Sequence, residues 1–171
     1  GILPLAADQK LVVLGELART PRYQGNGSSL VTPTQVSSLL DGLAEHGVSP
    51  GFAPGYTLDG RTDQALIDQA IDLARTEGAL LVCLGLTDLD ESEGYDRTHL
   101  SLPQNQLALL EALARERQDI IVVLYGGSPV EMPWLGQIAA LLNMYLSGQA
   151  GGQAAADLLL GHANPSGRLA K

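Results

Sequence analysis

Apolar residues follow two patterns along this chain. Four short runs are continuous rather than alternating: residues 10–15, 79–85, 119–126 and 138–144. Each predicts a strand buried on both faces, as in a parallel sheet with helices above and below it. Between the runs, apolar positions recur at helical spacing. Val36, Leu39, Leu40 and Leu43 form one stripe behind Thr32-Pro33-Thr34-Gln35, which reads as a capping box with proline at the first helical position. Leu66, Ile67, Ala70, Ile71 and Ala74 form a second within residues 63–77. Ser101-Leu102-Pro103-Gln104 opens a third, with Leu107, Leu110 and Ala114 inward. Residues 149–160 form a fourth, which stops at Gly161 as the expected C-cap. Ser128-Pro129-Val130-Glu131 repeats the capping signature ahead of a short turn around Trp134. The alternation predicts an α/β fold in a single domain over 1-171, a mostly parallel sheet covered by helices on both faces with right-handed crossovers. Residues 48–62, rich in proline and glycine, read as a connection inside that domain.

Composition narrows the function. A length of 171 residues suits one domain, and 45% apolar against 17% charged residues is enough to bury a core. Ten Lys+Arg against 19 Asp+Glu leave a net charge of −9. That argues against nucleic acid, whose phosphates need a basic surface, and against an anionic membrane surface. No apolar run reaches the ~18 residues of a membrane span. The single cysteine, Cys83, excludes an internal disulfide and a Cys-rich metal site, and His46, His99 and His162 have no ligand spacing. No leader is in view, so the cytoplasm is the expected compartment. The two ends, Gly1-Ile2-Leu3-Pro4-Leu5 and Asn164-Pro165-Ser166-Gly167-Arg168-Leu169-Ala170-Lys171, read as cut from a longer polypeptide.

Three loops carry the candidate chemistry. Gly25-Asn26-Gly27-Ser28-Ser29 follows the first strand. It is only a G-x-G and lies too far from the strand for a nucleotide turn, so it reads as a turn that needs glycine for a positive φ. Gly148-Gln149-Ala150-Gly151-Gly152-Gln153 precedes the last helix, and its glycines predict close backbone packing. The third loop follows the strand at 79–85, at the sheet edge where open α/β domains bind ligands. Five carboxylates (Asp88, Asp90, Glu91, Glu93 and Asp96) crowd nine positions there, with Arg97 next. A calcium loop starting at Asp88 needs glycine at its sixth position and an acid at its twelfth. Glu93 and His99 stand there instead, so no metal is expected, and no cofactor.

Six segments, in order, carry a family resemblance. The acidic loop runs into Leu100-Ser101-Leu102-Pro103-Gln104-Asn105-Gln106, and Leu3-Pro4-Leu5, Gln24-Gly25-Asn26-Gly27-Ser28-Ser29, Pro129-Val130-Glu131-Met132-Pro133-Trp134, Gly148-Gln149-Ala150-Gly151-Gly152 and Asn164-Pro165-Ser166-Gly167-Arg168-Leu169 join it. Together they resemble the C-terminal α/β domain of glycoside hydrolase family 3, the β-glucosidase family. The resemblance implies a retaining β-glycosidase whose general acid/base is a Glu on a loop of this domain. In members with a Glu-Gly-x-Asp-Arg phrase it is the Glu before the glycine, here Glu93, and Glu91 is the rival. The nucleophile it implies is an Asp on a preceding (β/α) barrel domain, absent from this chain. That barrel of its own polypeptide and a small β-glycoside are then the implied partners. The shortness of 48–62 leaves no room for the domain that some members insert.

Several expectations follow. Like charge from Asp90, Glu91 and Asp96 should raise the pKa of Glu93, as an acid needs. Arg97 should pair with Asp96 and pin the loop. With Leu89 and Tyr95 as its main apolar anchors, the loop has little to hold it. The isolated chain should be inert, with a sticky face near Tyr23, Met132 and Trp134 that favours homo-oligomers. The contrasting function is a non-catalytic carbohydrate-binding or oligomerisation module of the same fold. One Trp, five Tyr and one Phe give it a poor aromatic platform for sugar. A flavodoxin-like nucleotide domain is a weaker third option. The sequence identifies no sugar-binding residue and no particular sugar.

Overall fold

A computed structural model of the chain describes residues 1–6 and 8–169. Ala170 and Lys171, the end of the closing segment, lie outside them. Five strands form one all-parallel sheet in the order β2-β1-β3-β4-β5. They are β1 (Leu11–Leu14), β2 (Gly51–Ala53), β3 (Ala79–Gly85), β4 (Ile120–Tyr125) and β5 (Ala140–Tyr145). Every residue of β1, β3 and β4 is buried, as their continuous apolar runs predict. The edge strands are more open. Strand β2 falls inside the segment expected to be a connection, and its three residues are too few to make a pattern.

Three helices join strands, α1 (Leu39–Glu45), α2 (Gln64–Ala74) and α3 (Gln104–Glu116), and a fourth, α4 (Gly151–Leu160), follows β5. Helix α1 carries the chain from β1 outward to β2, while α2 brings it back over β1 to β3. Right-handed crossovers in opposite directions lie on opposite faces. Helix α3 continues in the direction of α2 and packs beside it, and α4 packs beside α1. Both faces of the sheet are therefore covered.

Helix α1 starts later than Thr32-Pro33-Thr34-Gln35 suggests. Its N-cap is Ser38, whose hydroxyl accepts from the Asp41 amide while Asp41 accepts from the Ser38 amide. The residue before it is already engaged: the Ser37 amide donates to the Gln149 carbonyl at 2.8 Å, and the Ser37 hydroxyl accepts from the Gly152 amide at 3.1 Å. Here the glycine-rich loop fulfils its expected packing role. A Cβ on Gly152 would lie 2.0 Å from the Ser38 carbonyl oxygen, so only glycine lets α4 meet α1 this closely. Gly161 ends α4 in the left-handed conformation, as expected. Ser128-Pro129-Val130-Glu131 leads, as expected, into a short turn around Trp134, which caps the 3₁₀ turn Leu135–Gln137.

Buried polar side chains fix the carboxyl ends of the strands. Gln106 on α3 clamps the last residue of β3: its side chain accepts from the Gly85 amide and donates to the Gly85 carbonyl, both at 2.8 Å. Tyr56 donates to the Cys83 carbonyl at 2.7 Å and accepts from the Leu17 amide. The loops that leave β1 and β3 thus spring from rigid bases.

Candidate active site

The sheet's winding reverses between β1 and β3. Their loops diverge at the carboxyl edge and leave a crevice there. The glycine-rich first loop and the acidic loop are those two loops, and they meet across it.

The acidic loop begins as a tight turn. The Thr87 hydroxyl and amide both donate to the Asp90 carboxylate, at 2.7 and 2.8 Å, and the Glu91 amide donates to the Thr87 carbonyl. Asp88 instead pairs with Arg22 of the first loop. The alternating Asp88 and Asp90 therefore turn to different partners. Among the described residues no three His, Cys, Asp or Glu side chains converge as a metal site would require.

Arg22 is the residue that the sequence did not single out. It is buried, its Nη2 donates to the Glu91 carbonyl at 2.6 Å, and its Nε lies 3.8 Å from the Glu91 carboxylate. Burial pulls its pKa below the usual arginine value, opposed by the nearby charges of Glu91 and Asp90. The available signal was charge complementarity: one cation in a loop across the crevice from five carboxylates. The loop is thus anchored by polar contacts, while Leu89 and Tyr95, the anchors expected from sequence, are exposed.

Glu91 and Glu93 are two residues apart and occupy different environments. Glu91 is mostly buried, and its carboxylate accepts from the Gly127 amide at 3.0 Å and the Ser128 hydroxyl at 2.6 Å. Both of its oxygens are engaged in tying the loop to the end of β4. Glu93 is exposed, and its Oε2 accepts from the Ser28 amide at 2.6 Å. Its Oε1 has no hydrogen-bond partner among the described residues. Hydrogen bonds from the Ser28 hydroxyl and amide hold the Glu93 carboxyl below its ordinary pKa. This corrects the expectation that like-charged neighbours raise it: a direct donor outweighs carboxylates screened by water.

A cavity of about 370 Å³ opens beside Glu93, bordered by Asn26, Glu91, Tyr95, Arg97 and Pro129. Arg97 does pin the loop, though through the Pro129 carbonyl at 3.1 Å rather than through Asp96. A second cleft of about 420 Å³ lies on the other side of the first loop, between Tyr23, Leu30, Leu58 and Leu89. Of the exposed large apolar residues among those described, Leu30, Val31, Leu89, Tyr95 and Leu100 lie on these two loops, while Leu135, Tyr145 and Leu169 lie elsewhere. Trp134, expected on an exposed face, is buried in the core, and Tyr23 and Met132 are half-buried. His99 is exposed. Chemically, the site offers two exposed carboxylates at the cavity, Glu93 with one oxygen held by Ser28 and Asp96 with no hydrogen-bond partner among the described residues, on a polar-anchored loop that carries exposed apolar side chains.

The whole chain, residues 1–171, matches the family model described as the glycosyl hydrolase family 3 C-terminal domain. It is 48% identical to an exo-α-(1→6)-L-arabinopyranosidase of Bifidobacterium longum, over 98% of this chain and 22% of that protein. It is 43% identical to thermostable β-glucosidase B of Acetivibrio thermocellus, over 99% of this chain and 23% of that protein. Its fold superimposes on the crystal structure of the Bifidobacterium adolescentis GH3 β-glucosidase with a TM-score of 0.89 at 48% identity, covering 94% of this chain and 24% of that one. The chain thus spans under a quarter of the length of the curated relatives it matches.

Proposed function

The chain belongs to glycosyl hydrolase family 3, as its C-terminal domain, and on that premise we propose that it is the acid/base half of a retaining β-glycosidase, with Glu93 as general acid/base and the nucleophile on a barrel domain of the same polypeptide. The contrast between the two glutamates carries this assignment. Glu91 has both carboxylate oxygens occupied by Gly127 and Ser128. Glu93 keeps one oxygen free at the crevice.

A retaining glycosidase needs two carboxyl groups about 5–5.5 Å apart. In the first step Glu93 protonates the leaving oxygen while the barrel's carboxylate attacks the anomeric carbon. In the second, the Glu93 carboxylate takes a proton from water, whose oxygen displaces the barrel's carboxylate from the anomeric carbon. The contact with Ser28 favours the ionised form, the one that the second step needs. Covering by substrate and barrel removes water from the carboxyl and favours the protonated form that the first step needs. The exposed apolar rim on the two loops fits a surface that another domain covers. Substrates are β-linked glycosides or stereochemically equivalent ones, as the relatives' names suggest, and choice of sugar falls to the barrel.

The test is made in the full polypeptide that carries this chain. Glu93→Ala should depress hydrolysis of alkyl glycosides, which need protonation, far more than that of activated aryl glycosides. Azide should restore turnover by attacking the glycosyl intermediate from the vacated side. If Glu91→Ala behaves this way and Glu93→Ala resembles the wild type, the assignment is wrong by two residues.

A further inference from the structure

From sequence the first loop reads as a turn that needs glycine for a positive φ. Gly27 does have a positive φ of 79°. The space beside it has a second use. A Cβ on Gly27 would lie 2.5 Å from the Cβ of Glu93 and 2.7 Å from its Oε2, so the glutamate rests where a side chain would stand. The next amide, that of Ser28, donates to the same Oε2.

We propose that Gly27 and Ser28 are positioning residues for Glu93: the bare glycine seats the side chain and the Ser28 amide grips Oε2, so that Oε1 alone is presented to the substrate. This rests on Glu93 being the acid/base. A glutamate side chain has three rotatable torsions, and an exposed one ordinarily samples many rotamers. Catalysis needs the carboxyl held close to one geometry, and a displacement of about 1 Å costs on the order of 100-fold. The turn supplies that constraint from a different part of the chain. Asn26 closes it by accepting from the Gly27 amide at 2.9 Å, and the Leu30 amide donates to the Gly27 carbonyl. The other titratable groups at the cavity, Asp90, Glu91, Tyr95, Asp96 and Arg97, all belong to the loop of Glu93 itself. The elements packed against that loop bring two charges, Arg22 of the first loop, held on Asp88 and Glu91, and Glu131, held by Ser101, and neither borders the cavity. The Ser28 contact is thus the direct influence from outside the loop, and it lowers the pKa of Glu93.

Two readouts test this. The first needs no variant: carbon-detected NMR titration of the Glu93 carboxyl in the 171-residue chain should place its pKa below the ordinary value of about 4.3. Gly27→Asn, which tolerates the positive φ yet adds a Cβ, should return it toward that value. Ser29→Ala, on the same turn but away from Glu93, should not. The second readout is kinetic, in the full polypeptide. Gly27→Asn should lower kcat/KM for alkyl glycosides by about 10–100-fold and for activated aryl glycosides by less than about 3-fold. It should cost nothing further in a Glu93→Ala background. An equal loss in both backgrounds overturns the positioning role, because the turn then acts through stability. Titration at the ordinary value, with the leaving-group dependence of Glu93→Ala intact, overturns the positioning role alone. Absence of that dependence in Glu93→Ala overturns the acid/base assignment, and the positioning role with it, even where the titration shows the contact.

Discussion

Arg22 holds Glu91 at both ends: its Nη2 donates to the Glu91 carbonyl at 2.6 Å, and its Nε lies 3.8 Å from the Glu91 carboxylate. Because the guanidinium is buried, loss of the carboxylate removes one of its acidic partners and leaves Asp88 as its remaining ion pair. The Gly127 amide and Ser128 hydroxyl lose their acceptor at the same time. Glu91→Ala should therefore destabilise the domain by about 2–3 kcal/mol. In calorimetry this is a fall in Tm of about 5–10 °C. Glu93→Ala, at an exposed position, should leave Tm nearly unchanged. Equal Tm values for the two variants would contradict the division of roles between these glutamates.

The α1–α4 contact depends on glycine. A Cβ on Gly152 would lie 2.0 Å from the Ser38 carbonyl, and one on Gly42 would lie 2.2 Å from the Gly152 carbonyl. Backbone cannot move aside as a flexible side chain can, so Gly152→Ala must separate the helices. Overpacking of this kind costs about 1–3 kcal/mol or more. The urea midpoint should fall with an unchanged slope. A midpoint equal to wild type would mean that the helices slide apart freely.

Acid should weaken the turn at Asp59. The Thr57 hydroxyl and the Arg61 amide and side chain donate to its carboxylate and lower its pKa to about 2. The unfolded value is about 3.9. A folded pKa below the unfolded one adds stability above pH ~4 and loses it as the pH falls toward 2. The Tm difference between wild type and Asp59→Asn should be constant above pH 5 and shrink below pH 4. A difference independent of pH over that range would show that the ionised carboxylate contributes nothing.

The 171-residue chain alone should not hydrolyse aryl β-glycosides, since the proposed nucleophile lies on another domain of the polypeptide and retention needs both carboxyl groups. Turnover by the purified chain that disappears in Glu93→Gln would show that both groups lie within it.

The uncovered rim should make the isolated chain self-associate. Leu30, Val31, Leu89 and Tyr95 are each more than half exposed. Sedimentation velocity should show concentration-dependent association that Leu89→Glu weakens. A monomer at all concentrations would contradict a sticky face on the isolated chain.

The sequence by itself determined the layered architecture. Strand β3 falls at residues 79–85, where its apolar run lies, because a strand buried on both faces needs an unbroken run. Helix α2 and the stop at Gly161 follow from periodicity and from glycine's access to left-handed backbone, both local properties. The family was legible because its segments recur in order. What the tertiary structure decided involves residues far apart in the chain. Strand β2 exists because β1 offers it an edge. Helix α1 begins at Ser38 because Ser37 is held by α4 and the loop before it. Trp134, which looked like a surface aromatic, lies in the core. Charge and spacing do not separate the two glutamates, acidic residues two apart on one loop, and only the resemblance favours Glu93, the one before Gly94. They diverge because β4 brings Gly127 and Ser128 to Glu91, while the loop after β1 brings Ser28 to Glu93, 65 residues away. The Ser28–Glu93 bond spans the loops after β1 and β3, where the sheet's winding reverses, and the Glu91 bonds span the loops after β3 and β4; both places are set by the order of the strands, which no local pattern of residues encodes.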